Sequence, residues 1–226
     1  LISGLTILFG FPAPIILALM INEVKNSAFK RTVQTITYMP YFISMVVLCG
    51  LLKTFCMQDG LFAQIAVLFG GKAQNYLANP AYFRTIYVLS DIWSGIGWNS
   101  IIYLAALSSI DQEQYEAARV DGANRFQQML HITLPGLVPT IMVLFILRMG
   151  NILNVGYEKI LLLYNSATYS TADVISTYTY RLSFGGSGNP MYSKSTAIGL
   201  FNTIINVFFL MLTNMISKKA TDAGLF

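Results

Sequence analysis

Two ionisable residues stand inside apolar runs of this sequence, where charged side chains are rare. Asp91 lies in "VLSDIWSGIGWNS" and Arg148 lies in "VLFILRMG". A charge inside a hydrocarbon layer is costly, so such a residue is kept for a function or for a partner. If the two runs cross a membrane, the depths of these residues differ by only about 3 Å of helix. We therefore predict a buried ion pair between Asp91 and Arg148, with an Arg148 side chain that extends to the outer interface as the alternative.

The stretch after Asp91 carries further groups that could bind a polar solute. Asp91, Ser94, Gly95 and Trp98 follow the spacing i, i+3, i+4, i+7 and therefore share one helix face. Sugar rings stack on indole and sugar hydroxyls need hydrogen-bonding partners, so a face with aromatic and polar groups suits a sugar. The alternative is that this face only packs against other helices.

Patterns for catalysis or for metal binding are missing from the sequence. His131 is the single histidine, so a metal site is not expected. Cys49 and Cys56 would lie about 10 Å apart on a helix, which is too far for a disulfide. There is no glycine–lysine loop for ATP and no serine, cysteine or carboxylate constellation for catalysis. We therefore predict that the chain is not an enzyme.

The candidate residues must be positioned by helices that cross a membrane. Of the 226 residues, 55% are hydrophobic and only 11% are charged, whereas soluble domains carry about 25% charged residues. Several runs reach the roughly 20 residues that a helix needs to cross the hydrocarbon core. They are Leu1–Ile21, Ile36–Phe55, Thr85–Leu107, Ile132–Leu153 and Thr196–Ile216. A soluble helical protein would need far more polar outer faces, so we predict an all-α, polytopic transmembrane helix bundle with about five spans.

The distribution of Lys and Arg orients these spans, because short cytoplasmic loops collect basic residues. With alternating spans, one side holds Lys25, Lys30, Arg31, Arg119, Arg125, Lys218 and Lys219, and the other holds Lys53, Lys72, Arg84, Lys159, Arg181 and Lys194. The first set lies in the shorter segments, which places that side in the cytoplasm and Leu1 outside. Because Leu1 stands inside an apolar run, we expect a sixth, N-terminal span in a longer protein.

Both long outer loops contain short helical patterns. In 58–83, the apolar piece Leu61–Phe69 lies between the turn signals "DG", "GG" and "NP", which is typical of a short surface helix. In 154–195, the stretch "TADVISTYTYRLSF" has apolar residues on one helical face and precedes a loose "GGSGNP".

A polar segment at 109–135 separates two of the apolar runs. Asp111 can cap a short helix through Tyr115–Arg119. Gly122 can end that helix, because only glycine takes the left-handed backbone without steric cost. A second amphipathic helix follows, and Pro135 suits the first turn of the next span. We predict a compact helix-turn-helix on the cytoplasmic face, with a solvated loop as the alternative.

The residues of this segment match a known signature. Glu116-Ala117-Ala118, three residues, Gly122, nine residues and Ile132-x-Leu134-Pro135 resemble the "EAA" signature of binding-protein-dependent ABC importer permeases. "RTVQTITYMPYFIS" and "TYTYRLSFGG" also resemble segments of the maltose-type sugar permeases. The resemblance implies the type I ABC importer permease fold, with 1–226 as one transmembrane permease domain in the bacterial cell membrane. It also implies the import of sugars, in particular oligosaccharides or polysaccharide fragments.

The resemblance further implies a set of partners. They are a second homologous permease, two cytoplasmic ATPase subunits that bind ATP and Mg, an extracellular solute-binding protein, the sugar solute and membrane lipid. Neither a nucleic acid nor a cofactor bound by this chain is implied. Coupling to the ATPase would depend on Glu116, Ala117, Ala118, Gly122, Leu134 and Pro135.

A solute path is implied as well. The face of Asp91, Ser94, Gly95 and Trp98 matches a face that contributes to the sugar site in relatives. Met149, Ile152 and Gly156 align with contact positions there, and Asn151 and Asn154 would supply amides. Some positions that are polar in the family are apolar here, so either the solute or the register differs. Transporters often unwind helices at such sites, and "NVGY" is a candidate for a break.

Two other classes of transporter stay as alternatives. An ABC permease for peptides, amino acids or phosphate shares the EAA spacing. A secondary transporter would need a second, inverted copy of the spans, and no such copy is evident in the sequence.

Overall fold

The computed structural model describes residues 1–154, 156–185, 190–221 and 224–225, and every regular element in these ranges is helical. Numbered along the chain, the helices are α1 Ile2–Glu23, α2 Ser27–Tyr38, α3 Met45–Cys56, α4 Leu61–Leu68, α5 Pro80–Ser108, α6 Gln112–Val120, α7 Arg125–Met149, α8 Tyr157–Leu163, α9 Tyr169–Ala172, α10 Ile175–Phe184 and α11 Tyr192–Thr221. Short 3₁₀ turns lie at Met39–Phe42 and Tyr76–Ala78. The two stretches predicted to form short helices are confirmed as helical, as α4 and α10, whereas residues 186–189 of the loose stretch lie outside the described residues.

Four helical segments of the described chain are long and apolar enough to cross a membrane: Ile2–Glu23, Met45–Leu68, Arg125–Met149 and Tyr192–Lys219. The remaining predicted span, Thr85–Leu107, lies within α5. That helix has 29 residues, or about 43 Å of rise, which is sufficient for a crossing. It is more polar than the other four because it carries Asp91, Asn99 and several serines.

The predicted span Ile36–Phe55 is wrong as a continuous helix. Helix α2 ends at Tyr38, a 3₁₀ turn follows, and α3 begins at Met45. Pro40 explains the break, since proline lacks an amide hydrogen and its ring clashes with the preceding helical turn. The side chain of Ser44 then accepts a hydrogen bond from the amide of Val47 and caps α3.

The predicted bounds of the span Ile132–Leu153 are also wrong at both ends. Helix α7 begins at Arg125 and runs through a π-helical turn, Met129–Thr133, directly into the membrane. The wider π turn accommodates Pro135, whose missing amide would interrupt a regular helix. At the other end α7 stops at Met149. The second amphipathic helix of the cytoplasmic segment is therefore the first part of the span itself.

Helix α5 occupies the centre of the bundle and packs against α1, α2, α7 and α9. Toward the outside, its buried Phe83 and Tyr87 join a core with residues of α3 and α8. Toward the cytoplasm, Tyr103 and Leu107 pack with Ala18 of α1 and Leu137 of α7.

The crossing of α5 and α2 depends on Gly97. A Cβ atom at this position would overlap the backbone oxygen of Thr37, so the two helix backbones are in direct contact. No other residue permits such an approach, and α2 is thereby held against the middle of α5.

We predict that Gly97→Ala lowers the melting temperature of the detergent-solubilised protein, because the new methyl group must displace the α2 backbone at a cost of about 1–3 kcal/mol. Gly50→Ala is the matched control, since a Cβ atom at Gly50 would meet no atom within 4 Å. It should be neutral or slightly stabilising in a helix. Equal melting temperatures for the two variants would contradict the close approach at Gly97.

Candidate functional site

The cytoplasmic segment forms the predicted helix and turn. The side chain of Asp111 accepts a hydrogen bond of 3.0 Å from the amide of Glu113 and caps α6. After α6 ends, Gly122 takes φ +79°, which is the left-handed conformation that favours glycine. The amide of Ala123 donates to the carbonyl of Ala118 over 2.9 Å and closes the turn. The predicted helix-turn-helix is therefore confirmed as a local structure.

Side chains brace this segment against α7. The hydroxyls of Tyr115 and Thr133 are 3.0 Å apart, and Thr133 is buried in the π turn. The side-chain amide nitrogen (Nε2) of Gln128 donates to the backbone carbonyl of Ala123 over 2.8 Å. Asn124 and Gln127 form a reciprocal capping box at the start of α7. Helix α6, the turn and the first turns of α7 thus form one braced unit.

Several side chains on the cytoplasmic face of this unit are exposed. Glu116 and Ala117 are exposed, Ala118 is half-buried, and Val120 is 88% exposed. Phe126, on the start of α7, is 63% exposed. These exposed side chains are available for contact with another protein. Of the remaining signature residues, Leu134 is half-buried and Pro135 is exposed.

The ion pair predicted between Asp91 and Arg148 is wrong. Among the described residues, Asp91 pairs with Lys159, whose Nζ lies 3.4 Å from the Asp91 Oδ1. Lys159 belongs to α8, which folds back against α3, and its side chain is only 2% exposed. Its ammonium also donates to the carbonyl of Tyr87 over 3.2 Å and lies 4.6 Å from the centre of the Tyr87 ring. The prediction failed because Lys159 was assigned to an outer loop.

Two adjoining cavities meet at Asp91 and Arg148. The outer cavity has a volume of ≈ 270 Å³, and its lining includes Asp91, Arg148, Asn151, Ile152, Asn154, Gly156, Tyr87 and Lys159. The inner cavity has a volume of ≈ 180 Å³, and its lining includes Asp91, Gly95, Asn99, Tyr103 and Arg148. The structure thus brings together six of the predicted solute-path residues around polar space inside the bundle.

Three predicted solute-path residues lie elsewhere. Trp98 is stacked on Tyr41 with ring centroids 4.6 Å apart, so it packs α5 against the turn after α2. The hydroxyl of Ser94 donates to the carbonyl of Asp91 within the same helix. Met149 ends α7 and lines neither cavity. Asp91 and Gly95 therefore line the cavities, whereas the rest of their predicted face packs or bonds within the protein.

A non-helical stretch after α7 forms the rim of the outer cavity. The amide of Leu153 donates to the side-chain oxygen of Asn206 over 3.3 Å, so α11 satisfies a backbone group that the helix break leaves free. Asn202 donates to Asn154 over 3.2 Å, and Asn154 donates to Asn151 over 3.4 Å. The break predicted at "NVGY" falls in this stretch, although Val155 lies outside the described residues.

Sequence reasoning missed several of these polar residues. Asn202 and Asn206 are four positions apart, which places them on one face of α11, and this spacing is a signal that could have identified them. Lys159 gave no such signal, because its burial depends on how α8 packs.

A second ion pair fixes the outer loop. The guanidinium of Arg181 makes two hydrogen bonds, of 2.9 and 2.6 Å, to the carboxylate of Asp173. These bonds hold the pKa of Asp173 below its usual range. The same guanidinium lies 5.2 Å from the centre of the Tyr169 ring. This arrangement ties α10 to α9.

Comparison with known proteins identifies the class. The family model described as "Binding-protein-dependent transport system inner membrane component" matches residues 10–222. Protein LplB of Bacillus subtilis (strain 168) is 42% identical over 100% of this chain and 70% of its own length. The polygalacturonan/rhamnogalacturonan transport system permease protein YteP of the same organism is 41% identical over 99% of this chain and 69% of its own.

Solved structures agree with the family match. A chain in the crystal structure of a bacterial ABC transporter involved in the import of the acidic polysaccharide alginate superposes with a TM-score of 0.93, at 48% identity. The match covers 97% of this chain and 76% of that one. A chain of the alginate transporter in complex with an alginate pentasaccharide-bound periplasmic protein gives a TM-score of 0.94 at 47% identity, over 99% of this chain and 77% of that one.

The helical bundle with its braced cytoplasmic unit is thus a membrane transport component rather than an enzyme. The chain belongs to the family of inner membrane components of binding-protein-dependent transport systems, and it is a permease subunit of an ABC importer. The predicted type I importer permease fold and the membrane location are confirmed. A secondary transporter is not favoured.

We predict that Asp91→Asn destabilises the assembled complex more than Lys159→Met does. The asparagine variant leaves a buried ammonium without its counter-ion, and breaking a buried pair in this way costs up to about 3–5 kcal/mol. The methionine variant removes the buried charge while its side chain fills a similar volume.

The double variant tests the same pair. Thermal melting of the purified complex should place Asp91→Asn/Lys159→Met close to Lys159→Met alone. The control is the double variant Asp91→Asn/Arg148→Gln, whose change in melting temperature should equal the sum of the changes in the two single variants. If the changes in melting temperature of Asp91→Asn and Lys159→Met were also additive, the result would contradict an interaction between Asp91 and Lys159.

Proposed function

We propose that this chain forms half of the translocation pathway of an ATP-driven importer for sugars, in particular oligosaccharides or fragments of polysaccharides. The observation that carries the proposal is α7, which begins in the exposed cytoplasmic unit and ends at a polar cavity inside the bundle. One helix thereby connects a surface suited to a motor protein with a space suited to a hydrophilic solute. The relatives named for polygalacturonan, rhamnogalacturonan and alginate support the choice of solute.

The proposed assembly includes subunits beyond this chain. A second homologous permease completes the pathway, and two ATPase subunits on the cytoplasmic face bind ATP and Mg. An extracellular solute-binding protein delivers the sugar, in line with the periplasmic protein in the complex of the similar alginate transporter. Residues 1–226 act as one permease domain, with 109–135 as its coupling segment.

In this proposal the open face of the cytoplasmic unit docks into the ATPase. Glu116 offers a carboxylate to a basic residue, while Ala117 and Ala118 allow close backbone approach because their side chains are small. Gly122 fixes the direction in which α6 leaves α7. Leu134 and Pro135 mark the point where the unit continues into the membrane.

The solute path in this proposal follows the two cavities. Asn151 and Asn154 hydrogen-bond sugar hydroxyls, and Ile152, Gly156 and Gly95 shape the walls. The packing of Trp98 on Tyr41 favours a structural role for that indole over direct contact with the solute.

Coupling gives a direct test. We predict that Gly122→Val abolishes solute-stimulated ATP hydrolysis in the reconstituted complex while the chain still inserts and assembles. A β-branched residue at φ +79° is strained by about 1–2 kcal/mol and redirects α6.

Gly70→Val is a matched control for strain. Gly70 has φ +80° and, like Gly122, open space around its Cβ position, but it lies at the end of α4 on the outer side. This variant should keep solute-stimulated hydrolysis. Wild-type stimulation in Gly122→Val would contradict the coupling role.

The solute class is tested with the wild-type complex and its binding protein in proteoliposomes. We expect ATP hydrolysis to rise at least severalfold with one or more oligosaccharides and to stay at its basal rate with peptides, amino acids or phosphate. Stimulation by one of these other solutes, and by no oligosaccharide, would contradict the proposal and favour the other permease class.

A further inference from the structure

The outer cavity contains more positive than negative charge. Its acidic and basic side chains are Asp91, Arg148 and Lys159, that is, one acidic and two basic residues. Asp91 and Lys159 compensate each other over 3.4 Å. Arg148 has neither a carboxylate within 4 Å nor a hydrogen bond from its side chain in the part of the chain that the structure describes. The unneutralised charge therefore belongs to its guanidinium.

The position of Arg148 makes this charge available to a solute. It lies in the last turn of α7 and lines both the outer and the inner cavity. Arg148 is exposed in this chain, so its guanidinium at the junction of the two cavities is accessible to an anionic ligand. A guanidinium binds a carboxylate through two parallel hydrogen bonds, which gives geometric specificity as well as charge complementarity.

We propose that Arg148 recognises a carboxylate of the transported sugar, so that the solute is an acidic, uronate-containing oligosaccharide. This inference rests on the proposed function and narrows its solute class. Arg148 binds the carboxylate, and the nearby amides of Asn151 and Asn154 bind hydroxyls. The ion pair of Lys159 with Asp91 prevents the aspartate from neutralising Arg148 or repelling the solute.

The same guanidinium could instead pair with a carboxylate of the second permease. That arrangement predicts a different outcome, because loss of Arg148 would then weaken assembly and reduce the uptake of all solutes alike. The experiment therefore measures uptake per purified complex and the yield of the complex separately.

The probes are trimers of galacturonate and of mannuronate, each compared with its carboxyl-reduced, neutral form on the same sugar backbone. Uptake is measured in proteoliposomes with the complete complex and its binding protein. We expect the wild-type complex to take up an acidic trimer at least tenfold faster than its reduced form. Arg148→Gln should remove this preference at unchanged yield, and Arg148→Lys should retain part of it.

Lys53→Gln serves as the control for charge alone, because Lys53 is an exposed basic residue of α3 that lines neither cavity. It should keep the wild-type preference. An undiminished preference in Arg148→Gln, or an equal loss of acidic and neutral uptake with poor assembly, would overturn the role of Arg148. Uptake of neutral oligosaccharides only would overturn the carboxylate inference and leave the sugar function standing. Uptake of no oligosaccharide at all would overturn both.

Discussion

Inside a bilayer no water is available to backbone amides, and this constraint decides where the helices of this chain can break. Where the helices are irregular, either the helix continues through a wider π turn or another side chain bonds the freed backbone group. A π turn precedes Pro12 in α1, and another precedes Pro135 in α7, so both helices continue across their prolines. Where α7 finally ends, Asn206 of the last helix accepts the hydrogen bond of a freed amide. The irregular backbone of the membrane region therefore lies beside a polar cavity.

The same shortage of water governs the charges. Lys159 is buried because Asp91, a backbone carbonyl and the face of Tyr87 surround its ammonium. A short outer helix is thereby fixed to the central helix, and it closes the cavity from one side. The pair contributes little net stability when a hydrophobic pair of similar shape is the reference, but it specifies the position of α8.

The sequence predicted features that depend on local chemistry. Asp111 as a cap, Gly122 at positive φ and the apolar spans were all visible as residue types at defined spacing. Whether one helix continues into the next was not visible in the sequence. A proline can end a helix, as at Pro40, or a π turn can accommodate it within a continuous helix, as at Pro135. Packing settles that choice. The partner of Asp91 was missed for a similar reason, since composition assigns Lys159 to a loop and only the tertiary fold buries it.

Helix α7 also has a mechanical consequence. Arg125, in the cytoplasmic unit, and Arg148, at the cavities, lie on the same 25-residue segment, about 35 Å apart along its axis. In the proposed importer this segment acts as a lever that turns about its cytoplasmic end, where the Tyr115–Thr133 contact braces it. A tilt of only about 5° at the cytoplasmic end moves the far end by about 3 Å. A displacement of that size is about the length of a hydrogen bond. A small movement of the ATPase subunits is therefore enough to form or break a hydrogen bond between a side chain of the cavity and the solute.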